Sequence, residues 1–183
     1  MTDYTGSNTP PDIQDFWQTP VDLFLALDRE FHFVADIAAS DANHRHPVYL
    51  TEADDALAPE TNWEMLPDGY LWCNPPYNDI GPWVQKANAL PEGSHGVVML
   101  VPADTSVGWF KEALKEVTEV RFITGGRISF VRADTGKPVN GNNKGSMLLI
   151  WNPLHRRKAM TSYVDHNELM VYGKHLASIR SAA

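Results

Sequence analysis

Apolar positions along the chain fall into short runs separated by polar, proline- and glycine-rich connections. Residues 1–12 (MTDYTGSNTPPD) hold no such run and predict a flexible N-terminal tail, with 13–183 as one domain. Val21, Phe24, Leu25 and Leu27 then recur at helical spacing. Thr19 is placed to cap that helix and Pro20 to open its first turn. Residues 31–37 predict a strand, Ala38-Ala39-Ser40 the turn after it, and 48–51 a second strand. Gly69-Tyr70-Leu71-Trp72-Cys73 predicts a third strand, and a helix is expected over about 82–90. Residues 97–101 (VVMLV) are continuously apolar, as expected of a strand covered on both faces. Trp109, Phe110, Ala113, Leu114 and Val117 give a helical face near 106–117, and strands follow near 119–123, 127–132 and 146–151. Strands alternating with helices, then strands in succession, predict an α/β fold. Its sheet should be mostly parallel with an antiparallel edge. No repeat, low-complexity tract or second domain is visible.

Composition narrows the class. At 183 residues the chain can bury a full core without staples. Cys73 is the sole cysteine, which excludes an internal disulfide framework and a cysteine-rich zinc site and suits a reducing cytoplasm. No apolar run approaches the ~20 residues of a membrane span, so no membrane partner is expected. His44 and His46 lack a third ligand nearby, and no metal is expected. The net charge of -8 is unevenly spread. Residues 1–110 carry three basic side chains (Arg29, Arg45, Lys86) against 17 acidic ones, whereas 111–158 carry ten basic against four acidic. The second half is therefore the candidate surface for phosphate, unless the charges are scattered over solvated faces.

The third strand runs directly into Asn74-Pro75-Pro76-Tyr77. Adjacent prolines fix two φ angles and remove two N–H donors while keeping their carbonyls. The loop is thus a stiff acceptor array with an amide before it and an aromatic ring after it. It stands at the C-terminal end of a strand, where α/β folds bind ligands. Such a loop suits an amino group on a flat ring, such as adenine N6. Its two N–H groups would bond to the Asn74 side-chain oxygen and the Pro75 carbonyl. These acceptors would stabilise the positive charge that develops as a methyl group arrives. Tyr77 would stack on the base, which must leave a duplex to reach the loop. The alternative is that the tetrapeptide is only a turn.

Trp17-Gln18-Thr19-Pro20, Asp36-Ile37-Ala38-Ala39, Asn74-Pro75-Pro76-Tyr77 and Gly125-Gly126-Arg127-Ile128-Ser129-Phe130, read together, resemble the Dam-type DNA adenine-N6 methyltransferases, in particular the compact phage-type ones. The resemblance runs from about Phe16 to Trp151. It implies a Rossmann-like S-adenosylmethionine-dependent methyltransferase fold, direct in-line transfer to a flipped base, and double-stranded DNA as partner. It also implies cofactor-binding residues. Trp17, Gln18, Thr19 and Pro20 would border the methionine moiety, and Asp36 and Ala38 would form the cofactor loop, with Asp36 on the ammonium group. Asp54, Asp55 and Leu57 would follow the second strand. Asn62 would stand near the cofactor adenine, and Asn74 beside the transferred group. A glycine-rich turn after the first strand is absent, and Ala38-Ala39-Ser40 takes its place. That restricts backbone approach to the cofactor.

DNA contacts are expected from Arg121, Arg127 and Arg132, from the loop holding Asn142, Asn143 and Lys144, and from the basic cluster Arg156, Arg157 and Lys158. Each also reads as an exposed strand face, a hairpin turn or a solvated loop. Two other functions stay open at this point. One is a methyltransferase of the same fold acting on RNA adenine or protein glutamine. The other is a nucleic-acid-binding module without catalysis.

Overall fold

The computed structural model describes residues 17–132, 136–138, 144–154 and 159–182. The expected tail at 1–12, and Asn142, Asn143, Arg156, Arg157 and Lys158, lie outside the described residues. Among the described residues eight strands are formed: β1 (Trp17–Gln18), β2 (Phe33–Asp36), β3 (Gly69–Cys73), β4 (His95–Pro102), β5 (Glu119–Thr124), β6 (Val131–Arg132), β7 (Ser146–Trp151) and β8 (Met160–Asp165). The helices are α1 (Val21–Phe31), α2 (Gly81–Ala89), α3 (Gly108–Ala113) and α4 (His166–Ser181).

Six strands make one sheet in the order β2-β3-β4-β7-β5-β8. β2, β3 and β4 pair in parallel, as do β5 and β8, while β7 runs antiparallel to both β4 and β5. The sheet is mostly parallel, as the strand and helix alternation implies. Its antiparallel strand lies inside it, however, between β4 and β5, and not at an edge. All six residues of β7 are buried. A strand covered on both faces and paired on both sides is an interior strand.

Alternate residues along the strands feed two cores. Leu71, Cys73, Val97, Met99, Val101, Met147 and Leu149 face Trp83, Val84 and Ala87 of α2 and Phe110 and Ala113 of α3. Trp72, Val98, Leu100, Leu148 and Ile150 face Leu23, Phe24, Leu27 and Phe31 of α1, with Leu169 of α4 and Ile128 and Phe130. The sheet is thus sandwiched between two helical layers, which explains the unbroken apolar run of β4. α1 and α4 cross closely at Gly173, where a Cβ would strike the Asp22 carbonyl.

Several local expectations are corrected. Thr19 does not cap α1; it is buried, and Pro20 holds the cap position with no side-chain bond. Residues 48–51 do not form a strand. They lie beside β2 through one bridge, Asp36–Tyr49, and bonds such as Leu50 N–H to the Asp36 carbonyl at 2.9 Å. Of the strand expected at 127–132, only Val131–Arg132 forms, and it pairs with Trp17–Gln18. β8 and α4 carry no clear sequence signal. β8 is an edge strand with exposed Met160 and Tyr163, and α4 buries only Leu169 and Gly173.

Candidate active site

The C-terminal ends of β2 and β3 lie side by side, with Asp36 opposite Trp72. Ile37 N–H continues the pairing by donating to the Trp72 carbonyl at 2.9 Å. The chain leaving β3 as Asn74-Pro75-Pro76-Tyr77 therefore emerges next to the chain leaving β2. Asp79 N–H donates to the Pro76 carbonyl at 3.3 Å, and α2 begins at Gly81 with Pro82 in its first turn. Asn74 Oδ1 is a buried oxygen with no hydrogen bond, although other contacts hold the residue. A buried amide oxygen of this kind is a costly arrangement that a donor would relieve.

Tyr77 is half-buried and packs edge-on against Phe130, with ring centroids 5.8 Å apart at 87°. Its hydroxyl is buried and makes no hydrogen bond among the described residues, and burial pushes the phenol well above its ordinary pKa. Phe130, part of the Gly125–Phe130 stretch singled out in the sequence, thus acts by bracing the ring after the prolines. Gly125 itself is required by its geometry. It has φ +76°, and a Cβ there would run into the carboxylate of Asp165, the N-cap of α4.

Asp36 is 3% exposed. Its Oδ1 accepts Ala38 N–H at 3.4 Å and its Oδ2 accepts Arg45 N–H at 2.9 Å. Burial pushes the carboxyl from 3.8 up to about 6, against the opposing pull of those two amides and the charge of Arg45. Arg45 also ties in the segment before α1. Its Nε–H donates to the Thr19 carbonyl at 2.8 Å and its Nη2 to Gln18 Oε1 at 3.3 Å. Gln18, Thr19, Asp36 and Ala38 are thereby brought to one place, with Pro20 following Thr19 into α1. The side chain of Trp17 is not among those described.

The remaining cofactor candidates lie in the 52–65 segment. Asp54 Oδ2 accepts the Thr51 amide at 2.7 Å and the Thr51 hydroxyl at 2.8 Å, so it stabilises its own short 3-10 turn. Asp55 is exposed, with φ 43°. Leu57 and Asn62 line a cavity of about 430 Å³ together with Pro59, Thr61, Pro82, Gln85 and Lys86. Asn62 Oδ1 caps the next turn by accepting Glu64 N–H at 2.9 Å. Lys86 closes the cavity's wall by donating to the carbonyls of Ala58 at 2.8 Å and Thr61 at 2.7 Å. Neither Lys86 nor Arg45 stands out in the sequence, because their partners are more than 20 residues away.

The expected DNA contacts separate. Arg121 forks onto Glu30 at 2.7 and 2.8 Å and donates to Glu119 at 2.8 Å. Glu30 is in the last turn of α1, at the end of the sheet away from the proline loop. Arg121 is therefore held in an ion-pair cluster at that end of the sheet. Lys144 is ion-paired to Asp104 at 2.6 Å, just past the C-terminal end of β4. Arg127 is exposed in the chain after β5, and Arg132 stands opposite Trp17 in the β1–β6 pair.

The chain is similar to known proteins over most of its length. Residues 6–176 match the family model "DNA N-6-adenine-methyltransferase (Dam)". A protein of Escherichia phage T1 named DNA N-6-adenine-methyltransferase is 32% identical over 166 residues, covering 82% of this chain and 68% of that protein. One of the same name from Haemophilus phage HP1 is 31% identical over 173 residues, covering 92% of this chain and 97% of that protein. No solved structure is matched significantly. With matches of that extent, the chain belongs to the Dam family of DNA N-6-adenine-methyltransferases.

Proposed function

We propose that this protein methylates adenine N6 in double-stranded DNA, using S-adenosylmethionine and a base flipped out of the helix. The observation that carries the reading is the Asn74-Pro75-Pro76-Tyr77 loop leaving β3 next to the buried carboxylate of Asp36. Bound S-adenosylmethionine would supply an electrophilic methyl group. The chain's own residues then have separate tasks. Asn74 Oδ1 and the Pro75 carbonyl accept the two N6 hydrogens and hold the amino group where positive charge develops. No residue has to remove a proton beforehand, since the proton can leave after transfer. Two prolines in succession keep N–H donors out of that acceptor array. Tyr77, braced by Phe130, offers its ring as the platform for the base.

Asp36, Ala38, Gln18, Thr19 and Pro20 border the methionine end of the cofactor in this reading. The cavity beside Leu57 and Asn62 takes the other end. Burial outweighs the pull of Arg45 on the Asp36 carboxylate, so an ammonium group placed against it would favour its ionised form. A DNA substrate implies work where DNA is accessible, the cytoplasm of a bacterial or phage-infected cell. Among the described residues no helix is long and apolar enough to cross a membrane.

The test is Asn74→Ala. Transfer to unmethylated DNA, read as N6-methyladenosine after digestion to nucleosides, should be lost while affinity for S-adenosylhomocysteine is kept. Full activity in the variant would refute the role of the loop. Methylation of RNA or protein with DNA untouched would refute the substrate.

A further inference from the structure

Arg45 lies in the turn-rich stretch after β2, half-buried, with its guanidinium directed onto the segment before α1. Its main-chain N–H reaches Asp36, while its guanidinium reaches the Thr19 carbonyl and Gln18 Oε1. Both of those acceptors are neutral. Among the described residues no ion pair joins the Arg45 and Asp36 side chains, although both charges sit at the end of β2. A guanidinium has five N–H donors, and two of them are used here. Burial acts against both charges, raising the Asp36 carboxyl and lowering the Arg45 guanidinium from its usual value. The two charges feel each other but make no direct ion pair, and a site that desolvates both fits a zwitterion, whose two ends complete both.

The methionine end of S-adenosylmethionine is such a zwitterion, so the following rests on the methyltransferase reading above. We infer that Arg45 binds the α-carboxylate of the cofactor through N–H groups not engaged by Thr19 and Gln18, opposite Asp36 on the α-ammonium. Arginine suits this task because its planar fork matches a carboxylate while its other edge stays bound to the protein. The same bonds to Thr19 and Gln18 make the site depend on the segment before α1 being seated against β2.

Titration calorimetry with three ligands separates this role from a merely structural one. The ligands are S-adenosylmethionine, decarboxylated S-adenosylmethionine, which keeps the ammonium, and 5′-methylthioadenosine, which lacks both groups. The wild type should bind S-adenosylmethionine about 10- to 100-fold more tightly than the decarboxylated form, the range of a charge-assisted hydrogen bond. Arg45→Gln should lose that preference, binding the two alike, with 5′-methylthioadenosine little affected. Arg45→Lys keeps the charge without the fork and should retain part of the preference. Asp36→Asn should weaken both ammonium-bearing ligands and spare 5′-methylthioadenosine. Equal wild-type affinity for the first two ligands overturns the role of Arg45 without any variant, and so does an equal loss on all three in Arg45→Gln. Absence of binding by all three to the wild type removes the methyltransferase reading itself, and this inference with it.

Discussion

Replacing Asp36 with asparagine tests whether the end of β2 carries a charge that the fold itself disfavours. The carboxyl is 3% exposed, and its pKa is pushed from 3.8 to about 6 by burial. That rise corresponds to about 3 kcal/mol working against the ionised form in the folded state. The sign follows from proton counting. Between 3.8 and about 6 the folded protein binds the proton that the unfolded chain has released, so stability from this group is greatest in acid and is lost as pH rises through about 6. From pH 8 down to pH 5 the wild type should gain about 1.4 kcal/mol from Asp36 alone. Asp36→Asn has no such titration. It also loses one of the two accepted amide bonds, from Ala38 or Arg45, at a cost of about 1–3 kcal/mol that does not vary with pH.

The informative quantity is therefore the change in the difference between the two proteins, not its value at one pH. Urea unfolding of cofactor-free wild type and variant at pH 5 and pH 8 measures it. The wild type should improve relative to the variant towards acid by about 1.4 kcal/mol, or roughly 3–6 °C in Tm for a chain of this size. Other titrating groups are common to both proteins and cancel. Parallel pH profiles would show that Asp36 has an ordinary pKa in the folded state. A relative gain towards alkaline pH would show that internal cations outweigh burial at Asp36, which would undercut the assignment of an ammonium ligand.

Further predictions follow from single contacts. Arg121→Gln breaks the fork to Glu30 and should cost about 1–3 kcal/mol by chemical unfolding. DNA affinity at fixed salt should stay unchanged if the ion pair is its whole role, and a clear drop there would make Arg121 a DNA contact. Gly173→Ala drives a Cβ into the Asp22 carbonyl and should destabilise the α1–α4 crossing by about 1–3 kcal/mol or more; a neutral melting temperature would refute that packing. Phe130→Ala removes the brace behind Tyr77 and should cost about 3–5 kcal/mol of stability along with methyl transfer. Lys86→Met releases the Ala58 and Thr61 carbonyls and should raise amide hydrogen exchange across 57–62 without altering exchange in β4.

The elements easiest to read in the sequence are those whose burial is written in consecutive residues. β3, β4 and β7 are apolar throughout or nearly so because both faces of the sheet are covered, and their positions follow from that alone. β8 and α4 are the opposite case. β8 pairs along only one side, and α4 places just two residues in the core. Their stability comes from neighbours: the backbone ladder with β5, and the Asp165 side chain accepting the Asn167 and Glu168 amides at the start of α4. None of that leaves an amphipathic period. The interior position of β7 is hidden for a related reason. A strand arriving by a return connection has the same composition whether it joins the edge or slots between β4 and β5, and only the pairing decides.

The site divides along the same line. The proline loop is legible because its chemistry is local: two adjacent rings stiffen the chain wherever it goes. Charge is not local. Arg121 reads as a free cation on a strand because the carboxylate that holds it, Glu30, is 91 residues away. Lys144 is met by Asp104, 40 residues back. Both acids belong to the acidic first half, so folding lays part of that half onto the basic one. Summing charges over residues 111–158 therefore overstates the positive surface this region can offer to phosphate. Arg45 shows the converse. One of only three cations in the first 110 residues, it looks incidental in a charge tally. The fold sets it against Gln18, Thr19 and Asp36, where a single guanidinium in acidic surroundings has more consequence than several on a solvated face.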